Sequence, residues 1–260
     1  MTAAQYKEYL EFAKDIALAA GKLMLKYFKA PNTKYKSDQT PVTLADTEIN
    51  SYLIKRVKEK YPAHSVDGEE EAFGKSNHIW VCDPVDGTRQ FAAGIPVSTF
   101  SLALVIDGVS VVGVVYEPFA KDLYYATKGG GAFKNGKRIN VSQTQLGYKE
   151  CIMSYDYFNT EFLDIWKALT VLKSRASWVC LHSCIRGFMA VADGSYAGAI
   201  FPGTTHKNCD AAAAKIIVEE AGGLVRNFYG QEDRMDGDIK GAIVTNRSVY
   251  DEVLKTLSGA

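Results

Sequence analysis

The sequence predicts a mixed α/β (α+β) protein, with an N-terminal α+β half over residues 1–145 and a C-terminal α/β half over residues 146–260. Three observations carry this. Two amphipathic segments of helix length open the chain. Strand-length apolar runs then meet at Asp-Gly and Asn-Gly turns, and the remainder alternates helical and strand-like patterns.

In the first segment Tyr6, Leu10, Ala13, Ala17, Ala20, Met24 and Phe28 recur at helical spacing, until Pro31-Asn32 stops it. A polar connector over residues 32–41 carries Lys34, Lys36, Ser37 and Asp38. The second helix is expected to start within residues 43–46 and to run through Ile49, Leu53, Ile54 and Val57. It should end at Tyr61-Pro62, because a residue before proline is pushed out of the α region. Strands are expected at 79–82, 98–106 and 109–116, the last two joined by Asp107-Gly108, and at 122–127. A further pair, 131–134 and 138–141, flanks Asn135-Gly136. After a boundary within residues 143–149 come helices at 160–172 and 183–192 and a strand at 196–201. An alanine-rich helix at 210–221, closed by Gly222-Gly223, precedes a strand at 243–245 and a helix at 249–257.

Of the 260 residues, 47% are hydrophobic and 23% charged, the balance of an ordinary globular chain. Thirty basic residues offset thirty acidic ones, so there is no global cationic field and no nucleic-acid partner is expected. No run approaches the roughly 20 apolar residues that span a bilayer. Lys7, Glu8, Glu11, Lys14 and Asp15 interrupt the first helix, unlike a secretory leader, so no membrane partner is expected either. Five cysteines (Cys82, Cys151, Cys180, Cys184, Cys209), an odd number without a C-x-x-C, fit reduced thiols and a cytoplasmic location. Histidines 64, 78, 182 and 206 form no paired ligand motif, so the expected metal ligands are oxygens.

The most informative string is Asp83-Pro84-Val85-Asp86-Gly87-Thr88, directly after the strand at 79–82. Pro84 holds Asp83 extended, Gly87 permits a sharp change of direction, and two carboxylates leave one turn. Such a turn suits a hard cation on one side and backbone N–H groups for an anion on the other. A plain turn ending in a helix N-cap explains the same residues. Gly68-Glu69-Glu70-Glu71 fits either a solvated charge run or a carboxylate returned to the neighbourhood of Asp83. Asp46, three residues after Thr43, fits a capping box, and Asp210 fits a helix opening; either could also face a metal. Together these carboxylates, lacking His or Cys support, point to Mg²⁺ or Mn²⁺ and to phosphoryl chemistry. Gly129-Gly130-Gly131 lacks the Lys-Ser/Thr of a P-loop.

These residues resemble the inositol monophosphatase family of Mg²⁺-dependent, lithium-sensitive phosphatases. The similarity spans nearly the whole chain, and its pieces come in the family order. They are residues 42–46 (Val-Thr-Leu-Ala-Asp), 68–70 (Gly-Glu-Glu) and 83–88, then 210–213 with the helix over residues 218–223. The resemblance implies a layered αβαβα sandwich, a homodimer, and about two to three Mg²⁺ ions per subunit, with Li⁺ as inhibitor. It implies that Glu69, Asp83 and the Val85 carbonyl hold one ion, and that Asp83, Asp86 and Asp210 hold a second. Glu69 would reach a third, weaker ion through water. Thr88, paired with Asp46, would orient and deprotonate the attacking water, while the Gly87 and Thr88 N–H groups grip the phosphate. Lys36 matches a basic residue of the family's mobile loop; a solvated surface lysine explains it equally.

Three departures bear on substrate. The family's Trp-Asp is Cys209-Asp210 here, its Gly-Thr-Ala-type stretch reads His182-Ser183-Cys184, and no acid precedes Asp210 in residues 201–207. A carboxylate that would accept sugar hydroxyls is therefore missing. His206 and Lys207 suit a second anionic group on the substrate, or a solvated loop. The expected function is hydrolysis of a small phosphate ester, inositol monophosphate being the family default. Histidinol phosphate, sugar phosphates or bisphosphates and 3′-phosphoadenosine 5′-phosphate remain open. The alternative of another class is a non-catalytic regulatory protein with a vestigial metal site.

Overall fold

Helix α1 (Ala3–Tyr27) starts where the Thr2 hydroxyl accepts the Gln5 N–H and the Gln5 side chain accepts the Thr2 N–H, two otherwise orphaned donors. The computed structural model describes residues 1–30, 33–36, 41–147, 149–156, 165–202, 208–239 and 241–258. After α1 a two-stranded hairpin, β1 (Lys34–Tyr35) and β2 (Pro41–Val42), leads into α2 (Leu44–Lys60). Then come β3 (Ser65–Gly68), β4 (Ala72–Phe73), β5 (His78–Asp86) and the short helix α3 (Thr88–Ala92). An antiparallel meander continues through β6 (Thr99–Ile106), β7 (Val109–Glu117), β8 (Asp122–Thr127), β9 (Gly131–Lys134) and β10 (Lys137–Arg138). The later elements are β11 (Ile152–Tyr155), α4 (Ile165–Leu172), β12 (Ser177–Val179), α5 (Cys184–Ala192) and β13 (Gly198–Phe201). They are followed by α6 (Ala212–Glu220), β14 (Leu224–Arg226), β15 (Ala242–Thr245) and α7 (Tyr250–Ser258).

The strands form an eight-stranded sheet, β10-β9-β8-β7-β6-β5-β3-β4, and a five-stranded sheet, β12-β11-β13-β15-β14. Alternation along the central strands sorts side chains to two faces. Trp80, Cys82, Leu102, Leu104, Val112 and Val114 bury one face of the large sheet against α1 and α2. Val81, Ala103, Val105 and Val115 bury the other against α5 and α6, which also cover Ala199, Phe201 and Val244 of the small sheet. Beyond the small sheet, Met153, Ile200 and Ile243 meet Leu169 and Leu172 of α4 and Val253 and Leu257 of α7. The layers therefore run α-β-α-β-α, as the resemblance implies. Gly113 lets α6 approach closely: a β-carbon there would stand 2.7 Å from the Ala213 carbonyl oxygen.

Three expected elements differ. The helix expected at 160–172 is described from Ile165 on, and residues 157–164 lie outside the described set. The strand expected at 138–141 ends at Arg138, because the Val141 N–H leaves the sheet to donate to the Ala221 carbonyl at the end of α6. The helix expected at 210–221 begins at Ala212. Asp210 instead ends a 3-10 turn, Asn208–Asp210, closed by the Ala211 N–H on the Asn208 carbonyl, so it is not the cap of α6.

Candidate active site

The string at 83–88 lies where β5 runs out. Strand β5 pairs with β6 through Asp83, skips two residues and re-pairs at Asp86 with Thr99. That bulge turns both aspartates off the regular pleat at the end of a buried strand. Asp83 is 2% exposed and Asp86 7% exposed. The Asp83 carboxylate accepts the Val85 N–H at 3.0 Å, and the Thr88 hydroxyl donates to the Val85 carbonyl at 2.9 Å. Gly87, at φ +80°, takes the left-handed corner that starts α3. A side chain there would stand 3.2 Å from the His182 carbonyl oxygen.

Asp86 is held by the start of α5. Its Oδ2 accepts the Ser183 hydroxyl at 2.5 Å, the Ile185 N–H at 3.2 Å and the Thr99 hydroxyl at 3.3 Å, and the Cys184 thiol lies 3.5 Å from Oδ1. Burial still outweighs these donors and pushes the carboxyl up to about 6. Ser183 and Cys184, from the stretch at 182–184 that departs from the family and bears on substrate, are Asp86 partners in this structure. Burial, joined by the charges of Asp86, Asp210, Asp156 and Asp83, pushes the Cys184 thiol well above its usual range. One buried sulfur thus senses carboxylates from β5, the 3-10 turn and the end of β11.

Asp46 is completely buried in the first turn of α2. Its Oδ2 accepts both the Thr43 N–H at 2.8 Å and the Thr43 hydroxyl at 2.5 Å, the expected capping contact. Oδ1 is buried without a hydrogen-bond partner among the described residues. Burial, with the charges of Glu69 and Glu70 added, raises this carboxyl to about 7 despite the Thr43 donors. Glu69 is carried from β3 toward the same place, its N–H donating to the Cys82 carbonyl at 3.1 Å. Lys36 meets this loop, with Nζ 2.5 Å from Glu70 Oε1 and 3.5 Å from Glu69 Oε1, so it is not simply a solvated lysine. Asp210, 9% exposed, arrives on the turn before α6. His206 and Lys207 lie outside the described residues.

Three residues escaped the sequence reading. Asn50, one turn after Asp46 on α2 and 1% exposed, takes the Glu70 and Glu71 N–H groups on Oδ1 and donates to the Glu71 carbonyl at 2.9 Å. A polar residue four positions after Asp46, on the apolar face of a helix, was the available signal. Asn208 donates to Asp67 Oδ2 at 3.0 Å and to the Met235 carbonyl at 2.9 Å, tying the Glu69 loop to the Asp210 turn. Asp156, 5% exposed at the end of β11, had no motif around it. Asn50→Ala should cost about 1–3 kcal/mol of stability through unpaired amides. It should also raise the metal concentration needed for half-maximal activity by about tenfold or more, as loss of a ligand's supporting contact does. A metal titration of activity beside a thermal melt would read both; an unchanged metal requirement would refute the supporting role.

The donors are hard oxygens, buried at Asp83, Asp86 and Asp210 and half-buried at Glu69, and the neighbouring Asp46 holds an orphaned carboxylate oxygen. That set fits a small divalent cation and the phosphate it would neutralise. Comparison with known proteins agrees with the geometry. The model of the Inositol monophosphatase family matches residues 5–259. A Thermotoga maritima protein named fructose-1,6-bisphosphatase/inositol-1-monophosphatase is 31% identical, over 96% of this chain and 95% of its own. A histidinol-phosphatase of Chlorobaculum parvum is 32% identical, over 88% and 89%. Among solved structures, a Thermotoga maritima IMPase superposes with a TM-score of 0.87 at 30% identity, covering 96% of each chain. The family is generally metal-dependent, and several named relatives are phosphatases, while a Neisseria meningitidis relative 31% identical over 96% of this chain and 98% of its own is named a putative Nus factor SuhB. This chain belongs to the inositol monophosphatase family and is a phosphomonoester hydrolase.

Proposed function

We propose that the chain hydrolyses a small phosphorylated metabolite with Mg²⁺, by direct attack of water and without a covalent phosphoenzyme. The single observation that carries the mechanism is the completely buried Asp46 with an unpartnered Oδ1, within reach of the charges of Glu69 and Glu70. Glu69, Asp83, Asp86, Asp210 and the Val85 carbonyl are the residues that would hold the ions. Bound Mg²⁺ supplies charge neutralisation of the phosphate and a lowered pKa for water. The rest belongs to the chain. The Thr88 hydroxyl orients the attacking water, and Asp46 Oδ1 takes up the proton that Thr88 relays. A carboxyl raised to about 7 is well matched to that task near neutral pH. The Gly87 and Thr88 N–H groups, at the left-handed corner, hold the phosphate oxygens.

Inositol monophosphate is the reference substrate of this reading. The relatives named fructose-1,6-bisphosphatase and histidinol-phosphatase keep sugar bisphosphates and histidinol phosphate beside it. The reading extends to Li⁺ inhibition and to a homodimer in the cytoplasm, supported by the family resemblance and the odd cysteine count. No helix of the described residues is long and apolar enough to cross a membrane. The test is Mg²⁺-dependent phosphate release from inositol 1-phosphate, histidinol phosphate, fructose 1,6-bisphosphate and 3′-phosphoadenosine 5′-phosphate, with and without Li⁺. One substrate far above the rest, inhibited by Li⁺, is the expected result. Silence across the panel with metal still bound would leave a regulatory protein with a vestigial site.

A further inference from the structure

We propose that Asp156, Cys180 and His182 form a separate site for a borderline divalent cation, Zn²⁺ above all, on the wall of the active site. Strand β11 runs parallel to both its neighbours, β12 and β13; the chain passes from β11 to β12 through α4 on one face of the sheet and returns across β11 to β13 through α5 on the other. The crevice outside the carboxyl ends of strands at such a reversal is where open α/β sheets take ligands. Asp156 is the residue after β11, and Cys180 is the residue after β12.

A carboxylate oxygen, a thiol sulfur and an imidazole nitrogen of these residues lie within 4.8 Å of one another. Cys180 Sγ stands 3.4 Å from His182 Nε2. Tetrahedral zinc, with bonds of about 2.3 Å to sulfur and about 2.0 Å to nitrogen, requires a separation of about 3.5 Å. His182 Nδ1 is 3.9 Å from Asp156 Oδ1; a single ring nitrogen would bind the ion, and with one ligand atom from each residue the three donors stay within the 4.8 Å spread.

Asp156 supplies an independent reason for a cation. It is 5% exposed, and its Oδ1 is buried with no hydrogen-bond partner among the described residues. Its carboxyl takes a backbone hydrogen bond from His182, yet burial and then the charge of Asp86 raise it to about 8. A buried carboxyl aimed at an imidazole and a thiol lacks a positive charge, which an ion would provide. The donor set also separates this site from the other one. Thiolate and imidazole prefer zinc, whereas the carboxylate and carbonyl cluster around Asp86 prefers Mg²⁺. Three protein ligands leave a fourth position for water or a substrate oxygen. Binding ionises the Cys180 thiol and releases its proton to solvent.

The full chain, saturated with Mg²⁺, should be titrated with Co²⁺ as a spectroscopic substitute and then with Zn²⁺. Expected is a thiolate-to-cobalt charge-transfer band in the near ultraviolet that saturates at one equivalent and is displaced by Zn²⁺. Cys180→Ser should abolish the band, and His182→Asn, which tolerates the left-handed backbone at φ +53°, should weaken Co²⁺ binding about tenfold or more. Asp156→Asn should do the same. Asp86→Asn should keep the band, so a failure of the Mg²⁺ reading is distinguishable from a failure of this one. No band with the native chain, or a band that survives Cys180→Ser, overturns the proposal.

Discussion

Asp86→Asn should lower Mg²⁺-dependent phosphate release by roughly a thousandfold or more, the scale on which removal of a transition-state charge partner is felt. The fold should survive. Asparagine keeps an oxygen for the Ile185 N–H and the Ser183 hydroxyl, and it removes a buried charge that sits among other carboxylates. The melting temperature of the metal-free variant near pH 8 should therefore equal or exceed that of the native chain, while Mg²⁺ should no longer raise it. Activity within tenfold of native, or an undiminished rise with Mg²⁺, would remove Asp86 from the proposed metal site.

The second large effect is on stability without metal. Burial lifts Asp46 and Glu117 to about 7, Asp86 to about 6 and Asp156 to about 8, from ordinary values near 4. Across the window between those values the folded chain binds more protons than the unfolded chain, so stability falls as pH rises. In chelator, the melting temperature should drop by about 5–10 °C between about pH 5 and pH 8, for a loss of a few kcal/mol. Saturating Mg²⁺ should flatten the part owed to the site, because a cation favours ionised ligands, and leave the part owed to Glu117 beside Arg186. A melting temperature that stays level or climbs with pH in chelator would show that these carboxyls are not destabilised by burial.

Much of this was legible in the residues. Periodicity placed α1 and α2, and the Asp107-Gly108 and Asn135-Gly136 turns placed the meander, since those signals depend on local conformation alone. The string at 83–88 announced a turn with two carboxylates because Pro84 and Gly87 restrict the backbone wherever they occur. Strands β3, β11, β12 and β14 were missed: each has three or four residues, too few to show alternation. They are strands because neighbours in the sheet supply their hydrogen bonds. The same holds for Asn50, Asn208 and Asp156, whose partners are far along the chain. Asn208 meets Asp67, 141 positions away, and no local pattern encodes such a meeting. The contacts of Ser183 and Cys184 with Asp86 were likewise not legible, because they arise only where α5 aims its first turn at the bulged end of β5.

That long-range bridge also governs when the site can exist. Asp83 and Asp86 leave the ribosome well before Asp210, which follows only after more than a hundred further residues. At roughly 5–20 residues per second, that delay is on the order of ten seconds. During it a nascent chain carries two bare carboxylates at the end of β5, without the Ser183 donor, the Asn208 clasp or the last acidic ligand. On the proposed ligand set, a cation met in that interval would find Glu69, Asp83, Asp86 and the Val85 carbonyl but not Asp210. The full set is assembled only in chains whose synthesis has passed the start of α6.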